Sequence, residues 1–209
     1  MNTIIKTVTE NSLKTAGEIL KNGGIVAFPT DTVYGLGAAY SNENAVSKIF
    51  EAKGRDEGKP LSILVSDISQ VELLALEIPE GTKKLMEKFW PGALTVILKK
   101  RPEISDKISA GKDTIGIRMP DYSVTLDLIR EAGSPLAAPS ANTSGKRSSV
   151  SAEDVFEDLN GKIDMLLDGG TCPVGLSSTV LDLTGEEPLI LREGIITKTM
   201  IDEVINEEV

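Results

Sequence analysis

Gly24-Ile25-Val26-Ala27-Phe28-Pro29-Thr30-Asp31-Thr32-Val33-Tyr34-Gly35-Leu36-Gly37 sets the architecture of the chain. Ile25 to Phe28 is a short apolar run with the length and branched side chains of a buried strand. Pro29, Thr30, Asp31 and Thr32 end it, because proline cannot donate to a sheet ladder. Gly35 and Gly37 follow, residues suited to close backbone approach or to positive φ. Hydroxyls, a carboxylate and a phenol at the mouth of a core strand suit a small polar ligand. An ordinary strand-turn-strand corner is the other reading.

Working outward, Thr3 to Val8 reads as a first strand. Ser12 then caps a helix with Leu13, Ala16, Ile19 and Leu20 on one face, stopped by Gly23-Gly24. After the central stretch, Asn42 or Asn44 caps a helix that turns Ala45, Val46, Ile49 and Phe50 inward. Strands are predicted at Leu61 to Val65, Ala93 to Leu98, Thr114 to Met119, Pro135 to Ala138, Met165 to Leu167, Ser178 to Leu183 and Pro188 to Arg192. Helical stretches fall near Ile68 to Ala75, Thr82 to Phe89, Tyr122 to Ala132, Ser151 to Leu159 and from Thr197 onward, with Lys99 to Gly111 a polar loop. Several strand connections are too short for a helical crossover. The sheet is therefore expected to be mixed. No repeat or linker interrupts the pattern, which predicts one α/β domain over 1–209.

Composition narrows the chemistry. The 209 residues are 40% hydrophobic and 26% charged, ordinary for a globular domain. With 22 basic against 32 acidic residues the net charge is −10, and aromatics are 4%, both unfavourable for bulk nucleic-acid binding. Cys172 is the single cysteine and there is no histidine. That removes intrachain disulfides, cysteine-cluster metal sites, histidine bases and Ser-His-Asp machinery. No run approaches membrane-spanning length and the N-terminus lacks a secretory core, so a soluble cytoplasmic protein is expected.

Two stretches carry candidate chemistry. Lys53-Gly54-Arg55 with Lys59 places three cations between a helix and a core strand, as an anion clamp or as a solvated loop. Pro139 to Ser148 delivers Ser140 and Asn142 from a strand end into a Ser/Thr/Gly loop carrying Lys146 and Arg147. Neither this loop nor Gly170 to Ser177 is a P-loop, since Leu176 stands where the phosphate-binding lysine belongs and Ser140 where the first glycine belongs. Arg118 and Arg192 end apolar strands and can partner a ligand carboxylate or phosphate, with a structural salt bridge as the other reading.

Together these pieces resemble the YrdC-like family of threonylcarbamoyl-AMP synthases. The matching stretches are PTDTVYGLG (29–37), KGR (53–55) with KP (59–60), GIRMPD (116–121), PSAN (139–142) with SG (144–145), SSTV (177–180) and LREG (191–194). The resemblance implies a twisted mixed sheet flanked by helices around one open cleft. It implies conversion of L-threonine, bicarbonate and ATP to threonylcarbamoyl-AMP and pyrophosphate, with Mg²⁺ on the phosphates and no protein-bound metal site. Downstream transfer proteins would place the product on tRNA, which this chain would meet only indirectly. The family signature, implied to be catalytic, falls on Lys53, Arg55, Ser140 and Asn142. Its ATP positions fall on Arg55, Lys59, Thr114, Ser140, Ser148 and Arg192, and its threonine positions on Thr32, Leu64, Arg118, Ala138 and Ser178. Leu64 stands where many relatives have histidine. The chain stops fifteen residues after Gly194, which suggests the short form of the family. An RNA-binding module and a carbamoyltransferase on the same fold are the competing expectations.

Overall fold

A computed structural model describes residues 2–206. In chain order the first strands are β1 (Ile4–Thr7), β2 (Val26–Phe28), β3 (Gly35–Ala39), β4 (Ser62–Leu64) and β5 (Leu94–Lys99). They are followed by β6 (Thr114–Arg118), β7 (Leu136–Ala137), β8 (Met165–Asp168), β9 (Thr179–Asp182) and β10 (Leu189–Arg192). Helices are α1 (Glu10–Lys21), α2 (Glu43–Lys53), α3 (Glu80–Phe89), α4 (Asp106–Ser109), α5 (Ser123–Ala132), α6 (Ala152–Leu159) and α7 (Lys198–Asn206), with a 3₁₀ turn at Ile68–Leu73.

Among the described residues the ten strands form one sheet in the order β1-β8-β2-β3-β7-β4-β6-β5-β9-β10. The pairs β1/β8, β2/β8, β4/β6 and β5/β9 are parallel and the rest antiparallel, so the sheet is mixed as its short connections require. Side chains alternate between the two faces of each strand. On one face, Ala16 and Leu20 of α1 and Leu128, Ile129 and Ala132 of α5 pack onto Val26, Phe28, Leu136, Met165 and Leu167. On the other, α2, α3, α6 and α7 bury Ile49, Leu85, Val155 and Ile201 against Ile63, Val96, Ile117 and Leu181. The α1/α5 cover ends near β4. Beyond it the same face of β6, β5 and β9 is bare, and that is where the cleft opens.

Three local expectations change. The cap of α1 is Thr9, whose side chain accepts from the Ser12 amide while Ser12 Oγ accepts from the Thr9 amide, so Ser12 completes a capping box from inside the helix. The stretch Lys99 to Gly111 holds α4, a single turn that turns Ile108 inward beside Ile104. Gly35 and Gly37 take no positive φ; their close approach is to the Phe28 ring, and Gly35 also lines the cavity. Gly35 pairs with Phe28 and Gly37 with Val26 across β2/β3, and a Cβ on Gly37 would stand 2.7 Å from the Phe28 ring. The ring fills the space two missing side chains leave. Gly37→Ala is therefore expected to cost about 1–3 kcal/mol, the range for overpacking, read as a lowered urea midpoint with unchanged slope.

Candidate active site

The floor of the cleft is the bare sheet face. Alternate residues point into it: Ser62 and Leu64 of β4, Thr114, Gly116 and Arg118 of β6, Thr95 and Ile97 of β5, then Ser178, Val180 and Asp182 along β9. The intervening residues Ile63, Ile115, Ile117, Leu94, Val96 and Leu181 are core. The cavity has a volume of about 340 Å³, enough for a small-molecule ligand. From Thr114 to Arg118 it runs roughly 13 Å along β6, four residues at the strand rise. At its middle lies Gly116, where a Cβ would come within 3.2 Å of both Ser62 Oγ and Thr95 Cγ2. The floor is deep there because no side chain occupies it.

At the inner end Arg118, only 6% exposed, is held by three acceptors. Its Nε donates to the Gly92 carbonyl (2.9 Å), Nη1 to Thr32 Oγ1 (2.8 Å), and Nη2 pairs with the buried Asp31 carboxylate. Burial lowers the guanidinium pKa, and Asp31 opposes that shift. Thr30 commits its hydroxyl proton to the Val33 carbonyl (2.7 Å), so in the 3.0 Å contact between the two threonines Thr32 is the donor. Thr32 thus accepts from Arg118, donates to Thr30 and keeps one lone pair. Two of the five guanidinium N–H groups also remain. Nearby, Arg192 Nε donates to the Ser178 carbonyl (3.0 Å) and Nη2 to Ser178 Oγ (3.2 Å), while Ser178 Oγ lies 2.8 Å from Thr95 Oγ1. A register shift in β10 between Ile190 and Arg192 lets consecutive residues Leu191 and Arg192 both face the cleft.

At the outer end the half-buried Arg55 donates from Nη2 to the Pro60 carbonyl (2.9 Å). Burial lowers its pKa as well. Ser140 and Ser148 line this end beside Thr114. The structure therefore brings Thr32, Arg55, Leu64, Thr114, Arg118, Ala138, Ser140, Ser148, Ser178 and Arg192 around one cavity. It leaves Lys53, Lys59 and Asn142 out of the lining. Lys59 is exposed, whereas Lys53 and Asn142 are buried behind the wall. Lys146 is ion-paired to Asp158 (2.6 Å), which also accepts from the Thr143 amide, and Arg147 points outside the cavity. Of Lys53, Arg55, Lys59, Lys146 and Arg147, only Arg55 lines the cleft.

Sequence reasoning missed Ser62, Thr95, Lys112 and Asp182. The signal for Ser62, Thr95 and Asp182 is a polar residue at alternate positions of an otherwise apolar strand, as in Leu94-Thr95-Val96 and Leu181-Asp182-Leu183, whereas Lys112 lies in a polar turn that carries no such mark. The lining carries Arg55, Lys112, Arg118 and Arg192 against Asp182 alone, so the cleft is cationic in a chain of net charge −10. That polarity selects anions. No three His, Cys, Asp or Glu side chains gather as a metal site among the described residues. Nor is any described helix long and apolar enough to cross a membrane.

The sequence profile of the Sua5/YciO/YrdC family, described as telomere recombination, matches residues 18–194. The threonylcarbamoyl-AMP synthase of Bacillus subtilis (strain 168) is 51% identical over 191 residues, 91% of this chain and 55% of that protein. Among solved structures, Pyrococcus abyssi Sua5 complexed with L-threonine is similar with a TM-score of 0.93 at 45% identity, over 99% of this chain and 61% of that one. E. coli YciO gives a TM-score of 0.81 at 27% identity, over 93% and 95% of the two chains. This chain spans little more than half the length of the B. subtilis protein and of P. abyssi Sua5.

Proposed function

The chain belongs to the Sua5/YciO/YrdC family, and on that premise we propose that it is an L-threonylcarbamoyladenylate synthase. L-threonine, bicarbonate and ATP give threonylcarbamoyl-AMP and pyrophosphate. The observation that carries this reading is one cationic cleft with two ends joined by the β6 floor. Its inner end suits an amino acid. The two free N–H groups of Arg118 take the α-carboxylate, and the remaining lone pair of Thr32 takes a substrate donor, ammonium or hydroxyl. Leu64, Ala138 and Ser178 enclose the side chain.

The outer end suits the nucleotide. Arg55, Thr114, Ser140 and Ser148 line it, Arg192 reaches toward the phosphates from beside Ser178, and Mg²⁺ arrives on the phosphates as part of the substrate. Lys59 joins them only if the exposed 54–60 loop closes. In the reaction the threonine amine takes up the carbon of bicarbonate with loss of water. A carbamate oxygen then bonds to the α-phosphorus while the bond to the β-phosphate oxygen breaks and pyrophosphate leaves. No covalent enzyme nucleophile is needed. Alignment of the two ends and neutralisation of phosphate charge lower the barrier. The product would supply the threonylcarbamoyladenosine modification of tRNA through other, transferring proteins. An RNA-binding function has no support in the cleft, since Lys146 and Arg147 lie outside it.

The test is pyrophosphate release with threonine, serine and valine, with and without bicarbonate. Release should require bicarbonate and fall in that order of amino acid. A pocket that pairs the substrate hydroxyl rejects valine, its isostere without one, more strongly than serine, which lacks only a methyl. Valine equal to serine would remove Thr32 and Ser178 from that role.

Cys172 should be dispensable. It is buried, burial raises its thiol pKa, and no histidine exists to activate it. Cys172→Ser should retain most of the turnover; complete loss in a folded variant would give the thiol a role that this mechanism lacks.

A further inference from the structure

Lys53 is the last residue of α2, where Gly54 turns the chain through a left-handed cap at φ 58°. The helix end aims the lysine inward, and the side chain is 1% exposed. Its Nζ donates to the carbonyls of Ser140 and Asn142 and lies 3.5 Å from Asn142 Oδ1. An ammonium has three N–H groups, and these are three acceptors. None is left for a phosphate. The same residue's carbonyl accepts from the Ser144 amide (2.8 Å), so Lys53 grips both ends of the 140–144 segment.

The segment is bound to itself as well. Asn142 Oδ1 accepts the Ser140 hydroxyl (2.5 Å), and its Nδ2 donates to the carbonyls of Thr143 (2.9 Å) and Lys146 (3.0 Å). Ser140 is the member of this network that reaches the cleft. Its proton points back to Asn142, so it offers the cavity its lone pairs. We propose that Lys53 is a positioning residue: it ties the Ser140–Asn142 turn from behind the cleft wall and thereby aims Ser140, touching neither substrate. This deepens the synthase reading and rests on it.

Burial and the nearby Arg55 hold the Lys53 pKa down to about 8, with the Asp158 carboxylate acting in the opposite direction. Even the neutral amine keeps two N–H groups, enough for both carbonyls. The tie therefore survives titration.

Lys53→Met in the full chain should lower kcat by about 100-fold or more with the KM for ATP changed less than about threefold. Adding Ser140→Ala to it should cost little further, since both act through one group, while adding Arg55→Ala should multiply the losses. A tenfold rise in KM for ATP with kcat kept, or multiplied losses for Lys53 with Ser140, would overturn the proposal. If Lys53→Met does not fold, the wild-type protein decides by reductive methylation with and without MgATP. A tied Lys53 stays unmodified in both conditions. Modification in the free protein that MgATP prevents would make it a phosphate ligand and sink the idea. Absence of any threonine-dependent turnover would count against the synthase reading instead, and the labelling result would still report the tie.

Discussion

Asp31→Ala is expected to lower stability by about 3–5 kcal/mol, the cost of leaving one partner of a buried ion pair alone. Asp31 is 7% exposed and Arg118 6%, and the other described contacts of Arg118 are a carbonyl and a hydroxyl. Without the carboxylate, the guanidinium keeps its charge in a site whose remaining partners are neutral. Asp31→Asn preserves an acceptor oxygen but not the charge, and should fall between wild type and alanine. Urea unfolding measures both. A shift under about 1 kcal/mol for the alanine variant would mean that water reaches Arg118 and that the inner end is far less dry than its burial indicates.

Arg55→Ala should reduce pyrophosphate release by about 100-fold or more while leaving circular dichroism unchanged, a charge-assisted contact in a closed site being worth roughly 1.5–3 kcal/mol or more. Its hydrogen bonds to the Lys59 and Pro60 carbonyls sit at the rim, so the fold has little to lose. Arg55→Lys should restore only a fraction. One nitrogen cannot hold the Pro60 carbonyl and also fork onto phosphate oxygens, as a guanidinium can. Near-normal turnover in the alanine variant would remove Arg55 from the phosphate site and leave Lys112 and Arg192 as its cations.

The order of strands and helices is legible in the sequence because apolar spacing and caps mark it, from Asn42 at the start of α2 to Ser151 at the start of α6. What escapes is set by long-range packing. Gly35 and Gly37 signal a close approach without saying to what, until Phe28 is seen against them. The α4 turn is too short for periodicity to show. Lys53 and Arg55 lie two residues apart and look equivalent, yet the helix end turns one inward and the cap turns the other toward the cleft. Ser140 and Asn142 are legible as a polar turn after a strand, but nothing local says that a lysine 87 residues away in sequence holds it.

The alternation that builds the cleft floor also separates two kinds of selection. Along β4, β5, β6 and β9, one residue in two meets the core and the next faces the cleft. Inward positions such as Ile63, Val96 and Ile117 should tolerate only exchanges that conserve volume, whatever the chemistry in the cleft. Outward positions such as Ser62, Thr95 and Asp182 should accept polar exchange with little effect on folding and a direct effect on what is bound. A saturation library scored separately for abundance and turnover should therefore show two tolerance profiles with the same two-residue period and opposite phase. Because the two sets scarcely overlap, specificity in this fold can drift over the strands without passing through unfolded ancestors.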